Sequence, residues 1–294
     1  MPHRRNETLR VAVAQFAAHL GHVEANAGAH IDLIEAARAE GVECLLFPEM
    51  SLTGHSAGGW ALDIALDERH PVVREIIAAA GPMAVTFGLI EEGPAAQFYN
   101  SAFTVRNGAL VHAHRKVNLA TYGGLEDGKH FAAGRYVETF GLGERWTAAS
   151  LICNDLWNPA LVYLAALHGA TLLLAPVSSG REAVGAEFDN PSGWETACRY
   201  SAMVYGMPLM FSNRTGTEQG LSFWGGSRII DPFGNTLAEM GEETGIAVAN
   251  LDYGRVRRAR YLLPTVRDSN LDLVMREIER LRPILGVPER ERRG

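Results

Sequence analysis

Three reactive side chains each follow an apolar run of the sequence. Glu49 follows "CLLFP", Lys116 follows "ALVHAHR" and Cys153 follows "AASLI". Such runs indicate buried strands, and catalytic groups often gather beyond the carboxyl ends of strands in layered α/β folds. If the three side chains meet, the thiol can attack a substrate, the carboxylate can take its proton and the ammonium can hold the developing oxyanion. The three positions therefore predict a nucleophilic active site.

The cysteine also has a structural interpretation, because cysteine is among the most buried residue types. The polar residues Asn154 and Asp155 come directly after Cys153, and Pro159 opens the next helical segment. This pattern favours a strand-to-helix turn that exposes the sulfur. A thiol near a helix N-terminus also has a lowered pKa, so we expect Cys153 to be reactive.

Glu49 and Lys116 could each be either an ordinary charged residue or a catalytic group. Glu49 could be a solvated charge on a loop. However, Pro48 restricts the backbone before it, and the following "SLTG" is not typical of an exposed loop. Of the 27 basic residues only Lys116 and Lys129 are lysines, and the other 25 are arginines. A site that needed only positive charge would be expected to use arginine here. Lys116 therefore indicates a compact ammonium group with three hydrogen-bond donors.

The elements that must position these residues alternate along the chain. Apolar and β-branched runs predict strands in "LRVAVAQF", "VECLLFPEM", "MAVTFGLIEEG", "TAASLICND", "TLLLAPVS" and "PLMFSN". Helical spacing predicts helices in "VEANAGAHIDLIEAARAEG", "VVREIIAAAG", "PALVYLAALHGA" and "GWETACRYSAMVYG". The turns "RNG" and "DPFGN" predict hairpins. Because the strands are apolar on both faces, we expect two sheets packed together and covered by helices, in the α/β class.

No linker or repeat interrupts this pattern, so we expect one domain. We assign residues 1–8 to a flexible N-terminus, 9–267 to the domain and 268–294 to a peripheral segment. That last segment is charged, and we expect a helix that packs on a partner before a frayed tail.

Composition excludes several classes of function. The 294-residue chain carries a net charge of −7, so neither nucleic acid nor an anionic membrane is an expected partner. No apolar run is long enough to span a membrane, and no secretory cleavage site follows the basic N-terminus. Cys44, Cys153 and Cys198 are too scattered for a disulfide framework or a zinc site. We expect a cytoplasmic protein without a metal.

The three reactive positions and their flanks resemble a known family. "LLFPEMSLTG", "HRKVNL" and "LICNDLWNP" are similar to the motifs that carry the Glu–Lys–Cys triad of the nitrilase superfamily, the carbon–nitrogen hydrolases. Lys116 follows Glu49 by 67 residues and Cys153 follows Lys116 by 37, separations of the size seen there. The resemblance extends from "VAVAQF" to about "RYLLP". It implies a four-layer α-β-β-α sandwich that forms a homodimer or a larger homo-oligomer.

The resemblance also implies roles for residues around the triad. The backbone N–H of Asn154 would join the lysine in holding the oxyanion, and Asp155 and Trp157 would fix or line the turn. Tyr122 is a further candidate for a supporting or substrate-binding residue.

One segment departs from the family pattern. Members usually carry a second glutamate in a motif that reads roughly Tyr-Gly-x-Phe-x-Glu, whereas this chain reads "TYGGLEDGKHF". Asp127 stands at the usual place and Glu126 stands beside it. Aspartate is one methylene shorter, so either Asp127 takes the role or a one-residue shift brings Glu126 in. We favour Glu126 for its reach, and the alternative is that both are solvated loop acids.

The residues after the cysteine favour amides as substrates. True nitrilases usually have tryptophan directly after the cysteine, where this chain has Asn154. "CND" resembles N-carbamoyl amino acid hydrolases, but basic residues follow it there, and Leu156 and Trp157 follow it here. No ATP-binding motif is present, so we do not expect a fused glutamine-dependent synthetase.

The family mechanism implies hydrolysis of a small linear amide through a thioester, with release of ammonia or an amine. It needs no metal or organic cofactor. Two interpretations from other classes stay open. The chain could be a binding or scaffold protein that keeps the fold without turnover. A thiol redox protein is less favoured, because no second cysteine lies near Cys153 in sequence.

Overall fold

Two six-stranded sheets form the centre of the computed structural model, which describes residues 8–143 and 145–286. In chain order the strands are β1 Thr8–Gln15, β2 Cys44–Leu46, β3 Ala84–Gly93, β4 Gln97–Arg106, β5 Ala109–Arg115, β6 Phe140–Gly141, β7 Thr147–Ser150, β8 Leu172–Pro176, β9 Leu209–Ser212, β10 Thr215–Glu218, β11 Leu221–Trp224, β12 Arg228–Ile230, β13 Thr236–Glu239 and β14 Gly245–Asp252. The helices are α1 Val23–Ala39, α2 Ala61–Ile64, α3 Pro71–Ala80, α4 Asp127–His130, α5 Pro159–Leu167, α6 Asn190–Tyr205, α7 Tyr253–Leu262 and α8 Leu271–Leu281.

The first sheet has the strand order β14-β1-β2-β3-β4-β5, and the second has the order β13-β12-β9-β8-β7-β6. β1, β2 and β3 run parallel in the first sheet, as do β7, β8 and β9 in the second. β10 and β11 form a separate hairpin.

The two faces of each sheet are buried against different partners. Val11 and Val13 of β1 pack with Leu172 and Leu174 of β8 between the two sheets. Ala12 and Ala14, which alternate with these valines, belong to a cluster that includes residues of α1 and α3. Residues of α5 and α6 cover the outer face of the second sheet in a third cluster. The layers therefore follow the order α-β-β-α, which confirms the predicted sandwich.

Both predicted hairpins are present. Asn107 and Gly108 join β4 to β5 with φ values of 52° and 77°, as a type I′ turn requires. Between β12 and β13, Asp231 Oδ1 accepts hydrogen bonds from the backbone N–H groups of Phe233 and Asn235 at 2.8 and 3.0 Å.

The β10–β11 hairpin is an element that no sequence pattern predicted. Its buried Glu218 pairs with Arg214, which directly precedes β10, and Arg214 Nη1 donates to Glu218 Oε2 at 2.7 Å. An apolar alternation therefore does not mark these strands.

The structure tests the predictions for the two chain ends to different extents. Of the predicted N-terminal segment, residues 1–7 lie outside the described residues, as does the tail from residue 287 onwards. The helix expected beyond Asp268 is α8, which buries none of its residues and exposes Leu271, Met275 and Ile278. The partner that would cover it stays a prediction. Among residues 8–143 and 145–286, no helix is long and apolar enough to cross a membrane.

Candidate active site

The strand topology brings the three predicted reactive residues into one cavity. β5 runs parallel to β2, because two antiparallel pairings through β4 separate it from β3. Glu49 comes three residues after β2, Lys116 comes directly after β5, and Cys153 comes three residues after β7 of the other sheet. All three line a small cavity where the strand ends of the two sheets meet.

The Lys116 ammonium group joins two carboxylates. Its Nζ donates to Glu49 Oε1 at 2.7 Å and to Asp127 Oδ2 at 2.6 Å. Burial lowers the pKa of Lys116, but the charges of Glu49 and Asp127 outweigh that effect, so its pKa lies well above the usual value. An ammonium group has three N–H donors, and these two carboxylates take two of them. The third donor remains for a group in the cavity.

The Glu49 carboxylate is held from both sheets. Asn100 Nδ2 of β4 donates to Oε1 at 2.8 Å, and the backbone N–H of Ser178, which follows β8, donates to Oε2 at 2.9 Å. Glu49 is 2% exposed. Because Oε2 accepts only one of these hydrogen bonds, it keeps a lone pair that can take a proton.

A glycine on β3 allows the Glu49 segment to lie this close to the sheet. A Cβ atom on Gly88 would lie 2.2 Å from the backbone nitrogen of Met50 and 2.7 Å from the carbonyl oxygen of Pro48. No side chain fits at that distance, so position 88 requires glycine.

Cys153 lies on a strained turn at the end of β7. It begins a 3₁₀ turn, Cys153–Asp155, and its φ of +46° lies in the left-handed region that L-residues seldom adopt. Strain of this kind persists at functional sites when surrounding contacts hold it. The turn thus presents the thiol at the cavity rather than in the core behind it.

The expectation that a helix N-terminus lowers the pKa of Cys153 is wrong. Burial, followed by the charge of Glu49, raises the pKa of this thiol well above its usual value, and Lys116 opposes them without prevailing. The next α-helix, α5, begins only at Pro159, so its N-terminus does not lie at the sulfur. The resting group is therefore a neutral thiol beside a base.

Asp155 ties the turn of the cysteine to the segment after the lysine. Its Oδ1 accepts from the backbone N–H groups of Val117 and Asn118 at 3.0 and 2.6 Å. Its Oδ2 accepts from the backbone N–H of Ile152 at 3.1 Å and lies 2.9 Å from His114 Nε2. Because this carboxylate is fully buried, all four contacts are shielded from water. They fix the spacing of the two catalytic segments.

Of the other predicted supporting residues, Tyr122 and Trp157 line the cavity, and Asn154 contacts Tyr122. The Tyr122 hydroxyl donates to Asn154 Oδ1 at 3.0 Å, and Asn154 Nδ2 donates to the carbonyl oxygen of Asn118 at 3.1 Å. Burial raises the pKa of Tyr122 to about 12, which keeps the phenol neutral. The ring centroids of Trp157 and Trp194 lie 5.0 Å apart in an edge-on arrangement, and the two rings form an apolar wall of the cavity.

The expectation that Glu126 reaches the lysine is wrong. α4 begins at Asp127, whose backbone N–H donates to the carbonyl oxygen of Ala120 at 3.0 Å, and this contact turns Asp127 inward. The Glu126 side chain is 61% exposed and pairs with Lys129 at 3.3 Å. The backbone itself approaches the lysine, so the shorter aspartate side chain is long enough.

Sequence reasoning missed two of the groups that hold Glu49, namely Asn100 and the backbone of Ser178. A signal for the first was available, since "FYNSAFTV" places a polar residue in an otherwise apolar strand. Nothing in "APVSSG" distinguishes a backbone donor from an ordinary loop residue. Within the described parts of the chain, no cluster of three or more His, Cys, Asp or Glu residues could hold a metal ion.

The family model of the carbon–nitrogen hydrolases matches residues 10–261. The N-carbamoylputrescine amidase of Solanum lycopersicum is 25% identical over 290 residues, which cover 92% of this chain and 94% of that protein. The glutamine-dependent NAD(+) synthetase of Acinetobacter baylyi is also 25% identical, over 227 residues that cover 76% of this chain. The chain spans only 40% of the length of that synthetase.

Solved structures show the same fold. A carbon–nitrogen hydrolase of Helicobacter pylori superposes with a TM-score of 0.82 at 22% identity, over 92% of this chain and 97% of that one. An amidase of Nesterenkonia sp. AN1 superposes with a TM-score of 0.79 at 24% identity, over 93% and 98% of the two chains. That structure is of a glutamate-to-glutamine mutant with the acetamide moiety of fluoroacetamide added covalently at the active-site cysteine.

Proposed function

The chain belongs to the carbon–nitrogen hydrolase family, and we propose that it hydrolyses the amide bond of a small molecule with Glu49, Lys116 and Cys153 as its catalytic triad. One observation carries the proposal. A buried ammonium group donates to Glu49 at 2.7 Å and to Asp127 at 2.6 Å, and it lines the same cavity as a cysteine on a strained turn. This arrangement combines a base, a cation and a nucleophile.

The first half of the reaction forms a thioester. Glu49 takes the proton of Cys153 as the sulfur adds to the amide carbon, so the thiol needs no lowered pKa before substrate binds. The free N–H of Lys116 and the backbone N–H of Asn154 hold the oxyanion. As the oxyanion collapses, the carbon–nitrogen bond breaks and Glu49 delivers its proton to the departing nitrogen.

The second half releases the acid. Ammonia or the amine leaves, and water enters and loses a proton to Glu49 as it attacks the thioester carbon. The carbon–sulfur bond then breaks, and the proton on Glu49 returns to the Cys153 sulfur. In both halves Asp127 acts through Lys116 as a positioning residue, because its carboxylate accepts a hydrogen bond from the ammonium group.

Amides are the substrates that we favour over nitriles, because Asn154 follows the cysteine. N-carbamoyl compounds are the second candidate, since the relative named N-carbamoylputrescine amidase aligns over nearly the whole of both chains. Glutamine is a third compound to test, because the relatives include glutamine-dependent synthetases.

Release of ammonia tests the proposal. Purified protein is incubated with acetamide, propionamide, glutamine, N-carbamoylputrescine and propionitrile, and ammonia is measured against a Cys153→Ala control. We expect release from at least one amide or carbamoyl compound and none from the control. Equal release by both proteins, or release by neither, would contradict the proposal. Release by neither would favour the binding or scaffold alternative.

We also propose that residues 9–267 form the catalytic domain and that the protein works as a homo-oligomer. The match of the family model to residues 10–261 supports the bounds. The exposed apolar side chains of α8 support a partner for this helix. Sedimentation equilibrium of wild type and of a chain shortened after residue 267 would test both statements together.

A further inference from the structure

The catalytic cavity contains polar atoms that the triad leaves without partners. His55 Nδ1, Ser178 Oγ and Asn190 Oδ1 are shielded from solvent and accept or donate no hydrogen bond among residues 8–143 and 145–286. All three residues line the cavity of the catalytic cysteine. Ser178 is 2% exposed and Asn190 is 1% exposed.

Buried polar atoms are unfavourable for a folded protein unless each finds a hydrogen-bond partner. Native proteins pair most such atoms with protein groups or with bound water, so three in one cavity mark a place for a bound water or for a polar group of the substrate. The proposed mechanism uses the backbone of Ser178 but none of these three side-chain atoms. A bound molecule that pairs them would remove the cost.

The three atoms define what that molecule must offer. Asn190 Nδ2 donates to Ser179 Oγ at 2.8 Å and to the carbonyl oxygen of Gly180 at 2.7 Å, which orients the amide so that Oδ1 is left to accept. The matching group on the substrate must therefore donate a hydrogen bond. Burial lowers the pKa of His55, against the charge of Glu49, so the ring is neutral and can accept or donate.

The hydrogen-bonding groups do not suit an acid at this position. Glu49, Asp127 and Lys116 line the same cavity, and the charges of Glu218 and Arg214 also act on His55. A carboxylate on the substrate could not donate to Asn190 and would add a negative charge beside Glu49 and Asp127. A hydroxyl or amino group meets both requirements.

The size of the cavity limits the rest of the molecule. Its volume is about 20 Å³, close to the space that one bound water needs. A second pocket of about 130 Å³ adjoins it and shares His55, Leu125 and Asp127 as walls. An unsubstituted amide nitrogen and a short acyl group suit these dimensions.

We propose that His55, Ser178 and Asn190 form a polar subsite that selects short primary amides carrying a hydroxyl or amino group next to the carbonyl carbon. This subsite rests on the proposed amide hydrolysis and adds its substrate class. The substituent pairs with the three free atoms while the amide carbon lies at Cys153.

Three amides with the same carbon skeleton test the subsite: propionamide, 2-hydroxypropionamide and 2-aminopropionamide. We expect wild type to hydrolyse one of the substituted amides with a kcat/KM at least about tenfold above that of propionamide, as a hydrogen-bonding site rejects an analogue that lacks its partner. Ser178→Ala and His55→Leu should each reduce this preference by about tenfold. His55→Gln, which keeps a hydrogen-bonding group, should restore part of it.

Two matched variants serve as controls. Ser150→Ala removes another buried hydroxyl that has no hydrogen-bond partner among the described residues. His112→Leu removes another histidine with such a ring nitrogen. Neither residue lines the cavity. Both controls should keep the wild-type preference. Because Ser178→Ala removes no hydrogen bond of the folded protein, its Tm should equal or exceed that of wild type.

A preference unchanged in both Ser178→Ala and His55→Leu overturns the subsite. Equal losses on all three amides also overturn it, because the atoms would then contact the reacting carboxamide itself. Calorimetric binding to Cys153→Ala protein separates this inference from the proposed function, since it needs no turnover. Tighter binding of a substituted amide than of propionamide supports the subsite even if turnover is absent, and equal binding contradicts it.

Discussion

Asp127 and Glu126 are neighbours in sequence with opposite surroundings, which makes them a matched pair for mutation. Asp127 Oδ2 lies 2.6 Å from Lys116 Nζ with both side chains largely buried, whereas Glu126 is 61% exposed. Asp127→Asn and Glu126→Gln each remove one charge at nearly constant size. We expect only the first to impair catalysis.

The magnitude follows from the contact that each variant loses. A buried hydrogen bond between charged groups contributes about 1.5–3 kcal/mol, which corresponds to a loss of roughly 10- to 150-fold in kcat/KM if it acts in the transition state. The Glu126–Lys129 pair is an exposed ion pair worth at most about 1 kcal/mol of folding stability. Neither residue lines the cavity of Cys153, although Glu126 lines the adjoining pocket. Glu126→Gln should therefore stay within about twofold of wild type.

The pH profile gives a second measurement on the same two variants. The carboxylates of Glu49 and Asp127 hold the pKa of Lys116 well above its usual value. The proposed mechanism needs Lys116 in its charged form, so activity should be lost as the pH rises through the pKa of this group. Removing the Asp127 charge lowers that pKa, so the alkaline loss of activity should move to lower pH in Asp127→Asn alone. A tenfold loss in Glu126→Gln, or a loss below about threefold in both variants, would refute the reasoning.

Three further predictions follow from the contacts of the triad. Glu49→Gln should abolish turnover and slow the reaction of Cys153 with iodoacetamide at pH 8, because burial keeps the thiol neutral and the variant lacks the base that takes its proton. Peptide mass spectrometry gives this rate, and labelling as fast as in wild type would contradict the assigned base. Lys116→Arg should lower kcat by about 10²–10³-fold, because the planar guanidinium cannot replace a three-donor ammonium, and activity within twofold of wild type would remove Lys116 from the site. Asp155→Asn should lower Tm by about 3–5 °C, since a buried carboxylate loses hydrogen bonds worth about 1.5–3 kcal/mol. Calorimetry measures this shift, and an unchanged Tm would show that the four contacts contribute nothing.

The fold and the triad could be predicted because their signals are local. Apolar runs mark strands, and a reactive residue just beyond each run marks a strand end. The two-sided apolar character of β1 already required a layer on each face, and Val11 and Ala12 do face different clusters. The resemblance to a family added the order of the layers.

Two predictions were wrong, the choice of Glu126 over Asp127 and the lowered pKa of Cys153, because both depend on the assembled site. Side-chain length favoured Glu126 over Asp127, but the start of α4 turns the aspartate inward and brings the backbone close. A helix N-terminus was expected to lower the pKa of Cys153, but burial and the Glu49 charge raise it. Neither the backbone position nor the burial of a charge can be derived from the spacing of residues along the chain.

Intact-mass spectrometry with peptide mapping tests the central claim most directly, because it detects the thioester itself. Protein is mixed with its best amide, stopped in acid after about one turnover time and compared with Cys153→Ala. We predict an added mass equal to the acyl group, located on the peptide that contains Cys153 and absent from the variant. Cys44 and Cys198 are buried in the core and do not line the cavity of the triad, so neither should carry the acyl group. An adduct on either of them, or turnover by the Cys153→Ala variant, would contradict the assignment of Cys153 as the nucleophile.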